Sequence, residues 1–167
     1  MEYTQDDIKS KQIKTNFFSK LSKTVTNKYA AYWYPLQEIN SGIDVISFDA
    51  NFLEDRERLE EIKTIFAKHN ISKVCVIPEL DNVYYSDTFL EDILAEDEDG
   101  FVFPYSSEEY TFDLSQEWLI YKSHEFTVTF AGEWLVRECK EHIKNYEKGI
   151  VRNMAQRKFR KTGGTTI

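Results

Sequence analysis

Between residues 42 and 78 the hydrophobic pattern changes period twice, and this limits the folds the chain can reach. Ile43-Asp44-Val45-Ile46-Ser47-Phe48 reads as a strand. Asn51, with Glu54 three residues on, has the spacing of a capping box, and a helix is expected to run from there to about His69. Its apolar face is Phe52, Leu59, Ile62 and Phe66, flanked by Ile65, and Glu54 and Arg58 stand at i,i+4 on its outer face. Asn70 ends the helix. Residues 73–77 then form a short, almost continuously apolar strand, the pattern of a strand covered on both sides. Strand, helix, strand in that order predicts a right-handed parallel crossover. The turn after the first strand reads Phe48-Asp49-Ala50-Asn51. It has no glycine-rich phosphate cradle, so a nucleotide-binding reading of the unit fails.

The second half is strand-rich. Phe101-Val102-Phe103 and Tyr110-Thr111-Phe112-Asp113-Leu114 read as strands. Trp118-Leu119-Ile120-Tyr121 and Phe126-Thr127-Val128-Thr129-Phe130 face each other across Lys122-Ser123-His124-Glu125 as a hairpin. In its second arm the Phe and Val residues share one face and the threonines take the other, more polar one. A helix is expected over 6–26, with Ile13, Phe17, Leu21 and Val25 at helical spacing. A last helix follows Gly132, carrying Leu135, Cys139, His142 and Tyr146 on one stripe and running past Gly149. The expectation is an α+β fold. It is a single domain over 1–155 with a mixed sheet, one βαβ unit, an antiparallel hairpin region, flanking N- and C-terminal helices, and a basic flexible tail over 156–167.

Charge decides which partners this surface favours. Residues 1–28 carry a balance of +3, residues 29–147 carry 26 acids against nine bases, and residues 148–167 carry six bases and no acid. An acidic body repels nucleic acid and anionic membrane and attracts cationic surfaces. No run approaches the ~20 apolar residues of a membrane span. The N-terminus is charged from its second residue and has no apolar signal-peptide core, so a cytoplasmic chain is expected. The two cysteines, Cys75 and Cys139, have no metal-ligand spacing and are expected to be reduced and buried. No cofactor is expected.

The densest feature is acidic. Glu91, Asp92, Glu96, Asp97, Glu98 and Asp99 put six acids into nine residues, with Tyr84, Tyr85 and Phe89 just upstream. Ser86 or Asp87 is placed to cap a short helix holding Phe89, Ile93 and Leu94. Acids that steer and rings that anchor are the ingredients of a docking surface for a basic protein. Two other groupings bring chemistry-bearing side chains together in the sequence. Ser123, His124 and Glu125 offer a hydroxyl, an imidazole and a carboxylate. They form the alternative ligand site of a small-ligand binder or hydrolase with aromatic walls. Yet neighbours on a hairpin do not converge as triad members do. Glu138 and His142 stand at i,i+4, but two ligands do not make a metal site. The expected arrangement there is a packed His142 and a solvated Glu138.

Residues 108–136 carry a Trp-bearing strand (Trp118-Leu119-Ile120-Tyr121), the turn Ser123-His124-Glu125, a Thr/Phe strand ending in Ala131-Gly132, and a helix start at Trp134. This segment resembles the C-terminal half of small acidic bacterial immunity proteins, which neutralise polymorphic or contact-delivered toxins, many of them nucleases. The resemblance implies a non-enzymatic inhibitor that binds a toxin domain tightly. It transfers no binding residues, because immunity families use different faces.

Overall fold

The computed structural model describes residues 44–78, 86–95, 102–103 and 108–152. The expected helix over 6–26, Tyr84, Tyr85, Glu96 to Asp99, and the tail over 156–167 lie outside them. The described elements run β1 (Val45–Asp49), α1 (Ala50–Leu53), α2 (Arg56–Lys68), β2 (Lys73–Pro78), β3 (Ser86–Phe89), α3 (Leu90–Ile93), β4 (Glu109–Phe112), β5 (Leu119–Ser123), β6 (Thr127–Ala131) and α4 (Glu133–His142). A short 3-10 turn at Tyr146–Lys148 follows. The architecture is α+β, built on one six-stranded sheet in the order β1-β6-β5-β4-β2-β3.

Every described pairing in that sheet is antiparallel, so the expected mixed sheet is not found. β1 and β2 are joined through helices, as the pattern predicts, but they are not neighbours. β6, β5 and β4 lie between them. The period of the hydrophobic pattern identifies a crossover connection but not which strands later fill the gap it leaves.

The expected single helix is two. Asp49 caps α1 by accepting from the Asn51 amide at 2.9 Å, and Asp55 caps α2 by accepting from the Glu57 amide at 2.9 Å. Asn51 is therefore not the cap; its own side chain donates to Asp49. The break at Asp55 also redirects Arg58. It pairs with Asp55 at 3.3 Å, donates to the Phe52 carbonyl and lies 3.9 Å over the Phe52 ring.

Asn70 ends α2 as expected, in a left-handed conformation with φ 57°. Its amide donates to Ala67 and the Ile71 amide donates to Phe66, the paired bonds of a Schellman motif. Ile71, one residue on, packs against the core.

One side of the sheet meets α2 and α4 through Phe66, Trp118, Phe130 and Leu135, all buried, with Phe66 and Trp118 rings 4.9 Å apart. Val102 and Phe103 join this core outside any strand, which corrects the strand expected there. The opposite side is buried too. Thr127, Thr129, Leu119, Tyr121, Tyr110 and Phe112 are all buried, and Ser47 bonds Thr129 across β1 and β6 at 2.7 Å. The threonine face of the hairpin is thus interior, not solvated. Hydroxyls there satisfy one another.

The hairpin connection is shorter than expected. Ser123 pairs with Thr127, and Phe126 leaves the strand to take φ 61° in the turn. At the other end of β6, Gly132 opens α4 at φ 112°, where a Cβ would meet the Glu117 carbonyl oxygen at 2.4 Å. α4 stops at His142. The chain then turns through Asn145 and lays residues 149–151 along the outer edge of β1, with Asp49 donating to Gly149 and Val151 donating to Ser47. The helix expected to pass Gly149 is replaced by an edge cover for the sheet. No helix among the described residues is long and apolar enough to cross a membrane.

Candidate functional site

A groove of about 760 Å³ runs between α2 and the β3–α3 corner. Ala67, Ile71, Leu90, Leu94 and Phe89 supply its apolar surface, and Glu60, Lys63 and Glu91 its charges. The Schellman turn builds one wall: it bends the chain after α2 so that Ile71 and Ser72 come alongside α3. There the Leu90 amide donates to the Ser72 carbonyl at 2.8 Å. Leu90 and Leu94 face inward and are almost wholly buried, whereas Phe89 is 55% exposed. Lys73, opposite Phe89 in the strand register, holds its ammonium 5.8 Å from the ring centroid.

Phe89 is in a strand and not inside the expected short helix. That helix is only Leu90–Ile93, with Phe89 at its N-cap position and no side-chain cap. Phe89 thus presents a large aromatic face to solvent at the edge of the groove.

The charges in the groove are not equivalent. Lys63 pairs with Glu60 at 2.9 Å, and this contact holds the Glu60 carboxyl below the usual carboxylate range. The Thr64 hydroxyl donates to the Glu60 carbonyl. Glu91 and Asp92 are exposed, and neither is ion-paired within the described residues. Of the sequence-selected docking residues, the structure thus brings Phe89 and Glu91 to one groove and sets Asp92 beside them on α3. Tyr84, Tyr85, Glu96, Asp97, Glu98 and Asp99 lie outside the described residues. The α2 side of the groove had no distinguishing signal in the sequence, because Lys63, Thr64 and Ala67 read only as the polar face of a helix.

Ser123, His124 and Glu125 sit at the tip of the β5–β6 hairpin. The Ser123 Oγ accepts from the Glu125 amide at 3.2 Å, closing the turn locally. The His124 side chain is 62% exposed, and its Nδ1 pairs with Glu108. Beneath them Lys122 and Glu109 form a mostly buried pair at 2.6 Å. The hydroxyl and imidazole do not converge on a common point; each is committed to a different neighbour.

A second charged cluster ties α2 to α4. Glu138 is 4% exposed, and Lys68 donates to both of its carboxylate oxygens, at 3.0 and 2.8 Å. His69 Nε2 lies 3.4 Å from Oε1 without hydrogen-bond geometry, and its ring stacks on Trp134 at 4.1 Å. His142 Nδ1 donates to the Glu138 carbonyl at 3.2 Å and lies 3.4 Å from Oε2. The expectation for this pair is reversed: Glu138 is the buried partner and His142 the exposed one. The Lys68 hydrogen bond holds the Glu138 carboxyl below its ordinary value, against the desolvation that opposes it. Burial, reinforced by the Glu138 charge, pushes the neighbouring Cys139 thiol far up and leaves it unreactive. Both Cys75 and Cys139 are buried. Among the described residues no group of three or more His, Cys, Asp and Glu is arranged to hold a metal ion.

Comparison of the chain with family models, with curated proteins and with solved structures returns no match.

Proposed function

We propose that this chain is a non-enzymatic binding protein of the immunity type, acting in the cytoplasm. It neutralises a cationic, nuclease-type toxin domain by stoichiometric binding through its acidic surface. The observation that carries the reading is Phe89. It is a large aromatic, more than half exposed at the edge of an apolar groove, with the exposed carboxylates of Glu91 and Asp92 following it in the chain. A desolvated ring flanked by steering charge is the combination that concentrates binding energy at protein interfaces. The resemblance of residues 108–136 to immunity proteins supplies the class of partner, and the acidic body supplies its sign.

The test is co-expression with the toxin domain encoded beside this chain's gene. Growth rescue together with a 1:1 complex in size-exclusion chromatography and light scattering supports the reading. Rescue at strongly substoichiometric levels, or a neighbouring toxin that is acidic, overturns it.

A further inference from the structure

We infer that the groove between α2 and α3 is the seat for a basic amphipathic segment of that partner, with an apolar side chain lodged against Phe89, Ile71 and Ala67 and a lysine or arginine beside it on Glu91 and Asp92. This rests on the binding reading above and specifies the chemistry of its occupant. The polar groups of the groove argue against a small polar ligand. Lys63 and Glu60 satisfy each other, and the Thr64 hydroxyl is spent on the helix backbone. Asn70, Ser72 and Glu91 are the other polar residues of its lining, few groups to orient such a ligand. What the groove offers is apolar area and a rim on which Glu91 and Asp92 outnumber the cation of Lys73, the complement of an apolar stripe edged by cations. Lys63 does not reverse that sign, because Glu60 neutralises it, and Lys73 over the Phe89 ring is one cation against the two carboxylates of Glu91 and Asp92, so an acidic segment would add charge to a face that is already net negative among the described residues.

The probes are two synthetic 14-residue helical peptides, one with leucine and lysine faces and one with leucine and glutamate faces, titrated at low salt into the isotope-labelled full chain. Saturable amide shifts are expected at Ala67, Ile71, Phe89 and Leu94 with the lysine peptide only. Phe89→Ala and the pair Glu91→Lys/Asp92→Lys are each expected to weaken binding by about tenfold. Both sites are exposed, so neither variant disturbs the core. Shifts confined to another surface, no saturable binding, or equal binding of the glutamate peptide would overturn the inference. The two readings fail separately. A protecting 1:1 toxin complex indifferent to all three substitutions removes the groove and leaves the function. Peptide seated in the groove without protection in cells does the reverse.

Discussion

Lys68, in the last turn of α2, closes on both carboxylate oxygens of Glu138 in α4 across 70 positions of sequence. The pair is asymmetric, since the Lys68 side chain is half exposed and the Glu138 side chain almost wholly buried. Removing the two partners is therefore not equivalent. Lys68→Met leaves a buried carboxylate without its ammonium partner, whereas Glu138→Gln leaves the half-exposed Lys68 ammonium, which water can reach. Urea denaturation at pH 7 is expected to show a loss of about 2 kcal/mol for Lys68→Met and about 1 kcal/mol for Glu138→Gln, after discounting for the exposed lysine. Equal losses would contradict the burial argument.

The same contact fixes the sign of a pH dependence. The Glu138 carboxyl is held lower in the folded chain than in the unfolded one. Its contribution is therefore complete above the unfolded carboxyl value of about 4.3 and is lost as pH falls through the lower folded value. Stability curves of the wild type and Glu138→Gln are expected to lie apart at pH 6 and to converge as the pH falls through the lowered folded value. Curves that stay parallel through the acid range would show that the Lys68 contact does not control the ionisation.

Gly132 joins β6 to α4 at φ 112°, and the site has no room for a Cβ against the Glu117 carbonyl and Trp118. Its amide also donates to the Asp44 carbonyl at 2.9 Å, anchoring the start of β1. Gly132→Ala combines a disfavoured backbone with a backbone clash, and a loss of about 3 kcal/mol is expected by thermal and urea unfolding. A loss under about 0.5 kcal/mol, the size of an ordinary surface substitution, would mean that the turn relaxes freely.

What the sequence made legible follows from the range of each interaction. The strands over 45–49, 73–78, 119–123 and 127–131, the helical stretch before Asn70 and the helix after Gly132 are visible because local periodicity and turn residues specify them. Sheet order is not local, and nothing near Phe48 or Val74 announces that three strands from further along the chain lie between them. Burial of Glu138 was equally hidden, since its partner Lys68 comes from another helix and the i,i+4 spacing to His142 drew attention to the wrong neighbour. For the candidate site, Phe89 and Glu91 were visible as an aromatic beside a run of acids. The opposing wall of α2 became a wall only through the Schellman turn at Asn70.

Ser47 and Thr129 share a buried hydroxyl contact across β1 and β6. Thr129→Val keeps the shape and removes one partner, which strands the Ser47 hydroxyl in the interior. The single substitution is expected to cost about 1.5 kcal/mol by urea denaturation. Adding Ser47→Ala removes the stranded group. The double variant is then expected to lose less than the sum of the two singles, by about 1 kcal/mol. Strict additivity would mean that the two hydroxyls act independently.

The charge arrangement of the groove makes a finer prediction than charge reversal does. Lys63 is silent only while Glu60 holds it. Glu60→Gln therefore removes one negative charge and also exposes a positive one at the seat of a basic segment, whereas Lys63→Met removes the latent cation and leaves Glu60 to join Glu91. For the leucine–lysine peptide, Glu60→Gln is expected to weaken binding and Lys63→Met to strengthen it. Each change is about twofold, the scale of an exposed charge contact, and each shrinks as salt is raised. Isothermal titration at two ionic strengths distinguishes the outcomes. If both substitutions move the affinity in the same direction, Glu60 and Lys63 act through the shape of α2 and not through their charges.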